Sequence, residues 1–360
     1  MVGAAGAAIG PLIGGALLEH FCWGSVFLIN VPLMLLVIPM AWWLLPDAEA
    51  APPTRPWPIE QAVLLVAGVI STVYALKAAG SGSLSMPALA LLVVAGVALV
   101  ARFAYLQATV SAPMLDLRLV TNPIILAGII MAMVASGALA GVELTLAQEL
   151  QYVLGKTPLQ AGMFMLPIMV AAGMGGPLAG WLSNRFGLRA VASASLLSAA
   201  ITLIGLSLRD FSHGGWLVPT LLAGLGLTLS IGLTASSIAI MSAVAAADGG
   251  AAGSLESTAY KLGTGLGITC FELFLPGVFS RQFQLPQQLA DVPAFQSSHS
   301  IGEVLVAAEA RGGDSARQAM DAARQAFTVA HSPLLLTSGV LMTALAITVF
   351  FLLDRKTASL

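Results

Sequence analysis

What most constrains this chain is a succession of long apolar stretches with short polar joints between them. The hydrocarbon core of a bilayer is crossed by roughly 20 apolar helical residues. By that rule about ten stretches qualify, near residues 3–19, 26–45, 60–79, 85–106, 123–146, 158–182, 190–207, 216–238, 251–277 and 333–353. Joints such as Gly80-Ser81-Gly82-Ser83 and Phe211-Ser212-His213-Gly214-Gly215 are tight turns, so neighbouring helices are expected to run antiparallel. Only 9% of the residues are charged, against about a quarter in a soluble domain. The fold class is therefore an all-α polytopic membrane protein.

The remaining composition removes several functions. Fifteen basic residues against 17 acidic ones leave no basic excess for nucleic acid. Cys22 and Cys270 lie far apart, with no Cys or His at ligand spacing, and read as small apolar residues rather than a disulfide or metal site. The chain has no G-x-S-x-G elbow, no H-E-x-x-H and no EF-hand loop. Gly155-Lys156-Thr157 lacks the upstream glycine of a phosphate-binding loop, since Leu150 stands five residues earlier. Neither an enzyme nor ATP-driven transport is expected, and no cofactor or metal.

Basic residues orient the spans. With Asp354-Arg355-Lys356 inside, the joints around Arg55, Arg118 and Arg185/Arg189 are inside too, and Arg102 joins them at a helix end. The opposite short joints hold Lys77, Lys156, Arg209 and Arg281, so the bias puts the C-terminus in the cytoplasm. Trp23, Trp42, Trp43, Trp57 and Trp216 fall near span ends, as interfacial aromatics do. Two segments leave the membrane. Residues 47–58 form a Pro-rich cytoplasmic link, and residues 281–332 a long external loop. In that loop Ser300 and Glu303 resemble a capping box, and Arg317–Asp321 and Asp321–Arg324 are spaced as helix-face pairs opposite Met320, Ala323 and Phe327. A short amphipathic hairpin lying on the bundle's outer end is expected.

Two motifs stand out. Gly6, Gly10 and Gly14 recur every four residues and make a smooth helical stripe, joined by Gly15 and interrupted by Pro11, which frees the Ala7 carbonyl and predicts a bend. Later, Gly180-Trp181-Leu182-Ser183-Asn184-Arg185-Phe186-Gly187-Leu188-Arg189 puts a turn glycine between two arginines that can reach headgroups or exposed helix C-termini.

The first stretch, continued as Trp23-Gly24-Ser25-Val26-Phe27-Leu28-Ile29-Asn30-Val31-Pro32, resembles the fifth and sixth helices of major-facilitator drug:proton antiporters. The likeness is to the fourteen-helix exporters of the QacA and methyl-viologen-resistance type. Gly6, Gly10, Pro11, Gly14 and Gly15 match that family's antiporter motif, while Gly24 stands where an arginine commonly follows the Trp. The second motif resembles the superfamily's loop motif, carried by Gly180, Asn184, Arg185, Gly187 and Arg189, with Asn184 where Asp is usual. Pro113 to Leu119, Gln151 to Gly155, Pro158 to Gly162 and Tyr260 to Gly263 agree with it.

The resemblance implies a major-facilitator fold that is N-terminally truncated, its ten spans matching helices five to fourteen. Residues 1–46 would be the last two helices of the N-terminal bundle, 59–107 a linker pair, and 118–356 a six-helix C-terminal bundle. It further implies secondary, proton-coupled multidrug efflux in the cell inner membrane, driven by the proton gradient, with amphipathic organic cations (quaternary ammonium compounds, dyes, viologens) as cargo. This chain alone is expected to be inactive, one wall of the cavity being absent. The competing readings are a channel-like or structural membrane subunit without proton coupling, and a symporter or uniporter of the same superfamily.

Ionisable groups inside spans default to function. Glu143, Glu256 and Lys261 are the candidates for holding a proton or a cation, with Lys261 as a possible neutralising partner of Glu256, and Glu272 is expected at the interface. Tyr152, Phe164 and Tyr260 are the candidate aromatics of a substrate cavity, beside the flexible Met163, Met165 and Met169.

Overall fold

The computed structural model describes residues 2–44, 58–81, 84–110, 117–209, 215–245, 248–285 and 298–353, with isolated positions between them; side chains are described from Gly10 onward. The Pro-rich link and the terminal Asp354-Arg355-Lys356 fall outside the described residues, apart from Pro58.

The described chain is helical throughout. In order it forms α1 (Val2–His20), the single turn α2 (Ser25–Leu28), α3 (Asn30–Leu44), α4 (Ile59–Ser81), α5 (Met86–Thr109) and a 3-10 turn (Leu117–Thr121). There follow α6 (Pro123–Gln148), a π turn (Glu149–Val153), α7 (Pro158–Phe186), α8 (Leu188–Ser207), α9 (Leu217–Ser242), α10 (Gly249–Gln282), α11 (Ile301–Arg311) and α12 (Gly313–Leu352). Nine stretches among the described residues are long and apolar enough to cross a membrane, α2 and α3 counting as one; α1, with 19 residues, corresponds to the first expected span.

Starts and stops follow local chemistry. Asn122 caps α6 by accepting from the Ile124 amide at 3.0 Å, with Pro123 next in line. Thr157 and Gln160 form a capping box at the start of α7. Gly187, at φ +83°, is at once the end of α7 and the start of α8, a conformation that side chains other than hydrogen rarely adopt.

Helices α6 to α10 and α12 form one bundle around a continuous apolar core, with α11 packed on α12. Two of its crossings are very tight: α7 with α9, where a Cβ on Gly226 would strike the Ile168 carbonyl, and α6 with α10, which run parallel. A Cβ on Gly263 would strike the Met133 backbone, one on Gly267 the Gly137 backbone, and one on Gly141 the Phe271 ring. Glycine is what lets these two backbones touch. Helices α4 and α5 pack on each other through Gly68 and Gly96, and α4 also meets α10. Helix α1 lies along α7, whereas α3 buries none of its residues.

Two boundaries differ from expectation. The last span was expected over 333–353, yet α12 is one helix of 40 residues starting at Gly313. At 1.5 Å per residue it is about 60 Å long, twice the bilayer core. Hydropathy marks only the lipid-crossing half; the polar half continues the same helix because its own face, Ala319, Met320, Ala323 and Phe327, is buried. The expected hairpin is therefore α11 followed by the projecting half of α12, joined at Gly312 and Gly313 with positive φ. Likewise α10 runs to Gln282, past the expected 277.

Candidate functional site

Helix α1 presents its glycines unevenly. Gly15 is buried, and a Cβ there would meet the Leu159 backbone at 2.8 Å; a Cβ on Gly162 of α7 would meet the Pro11 carbonyl at 2.9 Å. Beyond them, the Thr157 hydroxyl donates to Glu19 Oε2 at 3.4 Å, bringing a carboxylate to the α7 N-terminus, where the helix dipole favours it. Gly10 and Gly14 face open space. The stripe expected from the four-residue repeat is thus split: Pro11 and Gly15 carry the contact, and the surroundings of Gly6 lie outside the described residues.

The loop motif forms the α7–α8 turn. Arg185 lies 5.6 Å from the Trp181 ring centre and 5.7 Å from that of Phe186. Arg189 reaches across to the last turn of α12, its Nε donating to the Phe350 carbonyl at 2.7 Å. Such a bond satisfies a carbonyl that a helix end leaves without an intrahelical partner. Gly180 has open space around it, and Asn184 is exposed.

The candidate coupling residues are not clustered. Because Gly263 abuts Met133, Glu256 lies level with residue 126 of α6, so it is roughly 25 Å along the axis from Glu143. Glu143 is half-buried two residues past Gly141, and Glu256 is half-buried at the start of the third turn of α10. Among the described residues no ion pair joins Glu256 to Lys261. The two are five residues apart, off the three- and four-residue spacing of a shared face, and Lys261 is exposed with Nζ 5.7 Å from the Tyr260 ring centre.

The aromatic trio is dispersed as well. Tyr152 sits in the π turn, and its carbonyl accepts from Arg324 Nε at 3.3 Å. Phe164 packs on the core with Lys156 Nζ 5.9 Å from its ring centre. Tyr260 is 38% exposed near the other end of α10, its carbonyl accepting from Ser136 at 3.0 Å. None of the three lines a cavity of about 460 Å³ between α4, α6, α10, α11 and α12. Its wall includes Lys77, Thr145, Gln148, Phe271, Glu272 and Phe327. Glu272 therefore has a definite partner: Lys77 Nζ donates to its Oε2 at 3.1 Å, linking α4 to α10.

Between α10 and α12, Ser300 caps α11 by accepting from the Glu303 amide at 3.4 Å, while the Glu303 carboxylate accepts from the His299 amide at 2.6 Å, one residue earlier than a capping box requires. Arg324 pairs with Asp321 at 3.2 Å as spaced, but Arg317 pairs with Asp314 at 3.7 Å, not with Asp321. Three-residue spacing toward the helix start serves equally well there.

A buried pair went unread in the sequence. Glu149 opens the π turn and abuts His331 of α12, and each residue is 3% exposed. Both stand just outside the apolar windows, at 123–146 and 333–353, where an ionisable group is ordinarily a wet interfacial one. The available signal was a second acid six residues after Glu143 in an otherwise apolar run, and a histidine two residues before Pro333.

Comparison with known proteins bears on the whole chain. The sequence profile of the Major Facilitator Superfamily matches residues 1–268. The methyl viologen resistance protein SmvA of Salmonella typhimurium is 43% identical over 354 residues, 98% of this chain and 71% of that protein. The multidrug efflux pump LfrA of Mycolicibacterium smegmatis is 30% identical over 344 residues, 95% of this chain and 68% of that protein. The tetracenomycin C resistance and export protein of Streptomyces glaucescens is 29% identical over 268 residues, covering 74% and 49%. With its all-helical, multi-pass architecture, this chain belongs to the major facilitator superfamily, in its drug:proton antiporter family.

Proposed function

We propose that the protein exports amphipathic organic cations of the viologen and quaternary ammonium type across the inner membrane, in exchange for protons. The observation that carries this reading is the seating of α1 on α7 at Gly15 and Gly162. A glycine-lined, close helix contact at the α11 end, which the basic-residue bias puts outside, is a device for sealing a pathway there without side chains to unlock. It suits a carrier that alternates between two faces better than a channel held open. The names of the relatives support the cargo: methyl viologen is a dication, and its resistance protein is similar over nearly the full chain.

Carboxylates within the helices supply the exchange chemistry. A half-buried carboxyl such as Glu143 or Glu256 holds either a proton or an organic cation, since both neutralise the same charge. The cavity beside Glu272 combines that carboxylate with Phe271 and Phe327, which fits a flat, apolar cation. Lys77 neutralises Glu272 when no cargo is present.

The test is binding of tetraphenylphosphonium to the purified protein in weakly buffered solution, with released protons read by electrode. Exchange requires proton release that saturates with the cation, reduced in Glu143→Gln or Glu256→Gln. Binding without any release in the unsubstituted protein would falsify antiport and leave a channel-like or uniport reading.

A further inference from the structure

At the α11 end of the bundle two ionisable side chains are buried against each other. Glu149 and His331 are each 3% exposed, and Glu149 Oε2 abuts His331 Nδ1. They lie on elements far apart in sequence: Glu149 is the first residue of the π turn that ends α6, and His331 lies within α12. The imidazole is held between aromatic rings, with Phe211 stacked at 5.4 Å and Phe327, one turn earlier, at 6.4 Å. Two further bonds fix this part of α12: Arg324 Nε donates to the Tyr152 carbonyl of the π turn, and the Ser332 hydroxyl donates to the Ser207 carbonyl of α8 at 2.6 Å.

Two enclosed atoms of the pair have no hydrogen-bond partner among the described residues: Glu149 Oε2, which only abuts the imidazole, and His331 Nε2. A pair selected only for packing has little reason to keep such atoms, because well-packed apolar residues of similar volume serve as well or better. An imidazole whose Nδ1 donates to a carboxylate carries its free lone pair on Nε2. That is where an incoming proton binds. The π turn adds a second pointer, since these turns frequently mark functional sites and loosen the hydrogen-bond ladder at the acid itself.

We propose that Glu149 and His331 form a proton-binding site of the transporter, loaded at His331 Nε2. The step is balanced: one N–H bond forms, no electron is transferred, and the pair passes from a carboxylate with neutral imidazole to a carboxylate with imidazolium. Its net charge goes from minus one to zero. The role in exchange rests on the antiport reading above; the binding of the proton does not. The other titratable and charged groups on the elements packed around the pair begin with Asp314, Arg317, Asp321 and Arg324 on α12, Tyr152 in the π turn, and Glu143 on α6. Next come Lys156 after the π turn, Arg189 on α8 and Arg209 after it, Glu256, Tyr260, Lys261, Cys270, Glu272 and Arg281 on α10, and Glu303, Glu309 and Arg311 on α11. Helix α9 contributes none. Of these, Tyr152 and Arg324 carry the bond tying α12 to the π turn, with Asp321 bonded to Arg324 in turn, and among the described residues none of the three makes a ring contact or ion pair with the imidazole.

The experiment is a 15N NMR titration of the full chain labelled at its four histidines, with His331 assigned by its loss in His331→Gln. The expected result is a change of the His331 Nε2 resonance between neutral and protonated forms as the pH is lowered from 8 through about 4, with its midpoint moved by about one pH unit or more in Glu149→Gln. A resonance that stays constant over that range overturns the site, and this is read in the native chain, whatever the folding of the variants. Proton release on tetraphenylphosphonium binding then tests the link to exchange. Release lowered by at least half in His331→Gln supports it, and undiminished release overturns it. If the native chain releases no proton while His331 still titrates, the antiport reading fails and the proton site stands.

Discussion

Arg189 of α8 and Phe350 of α12 are joined twice: Nε donates to the Phe350 carbonyl at 2.7 Å, and the guanidinium lies 3.9 Å from the centre of the same residue's ring. The bond closes one end of the bundle by giving a donor to the last turn of its longest helix. Lysine keeps the charge but not the planar stack or the directed Nε. Arg189→Lys is expected to lower stability by about 1 kcal/mol, read as a lower thermal midpoint in detergent.

At the α6–α10 crossing the two backbones touch, so any side chain must move a whole helix. Gly263→Ala is expected to destabilise by about 1–3 kcal/mol. Gly277→Ala on the same helix, with open space around it, is the control and should leave the midpoint where it is. Equal effects from both would show that the crossing is not a tight point of the bundle.

The turn between α7 and α8 depends on Gly187 at φ +83° and ψ 148°, a region essentially closed to other residues. Gly187→Ala is expected to cost about 1–3 kcal/mol, measured by the same unfolding assay. Unchanged stability would mean the backbone reaches another conformation there without strain.

Seating of α1 on α7 can be read directly. With Cys22 and Cys270 replaced by Ser, cysteines introduced by Glu19→Cys and Thr157→Cys are expected to cross-link readily under mild oxidation, since the native side chains meet at 3.4 Å. Adding Gly15→Val should suppress the cross-link, because its side chain would enter the Leu159 backbone; Gly14→Val, facing open space, should not.

Lys77 neutralises Glu272 from across the cavity, and both side chains are partly exposed, 64% and 38%, so the pair itself contributes little to stability. Lys77→Met is expected to leave the thermal midpoint nearly unchanged and to tighten tetraphenylphosphonium binding several-fold by freeing the carboxylate. Isothermal titration calorimetry separates the two effects. Weaker binding in Lys77→Met would remove Glu272 from the cargo site.

The sequence by itself determined the solvent, the secondary structure and the family. Apolar windows of membrane-crossing length admit little but helices, and the glycine-proline stretch with the Gly180 to Arg189 turn carries the kinship. Local signals placed Gly187 and Ser300 at helix ends because capping is decided within a few residues. What only the tertiary structure decided is which residues meet. Gly15, not Gly10 or Gly14, touches α7, since the way α1 seats on α7 and not the four-residue repeat selects the face. Glu256 and Lys261 part company because adjacent turns point them to different sides. The polar half of α12 continues as helix because its own stripe finds a partner, which hydropathy does not record. Glu149 and His331, 182 positions apart in the numbering, meet because the π turn and α12 converge at one end of the bundle. Burial by a distant segment leaves no trace in the local pattern, so an ionisable side chain at a span edge looks wet until its partner is seen.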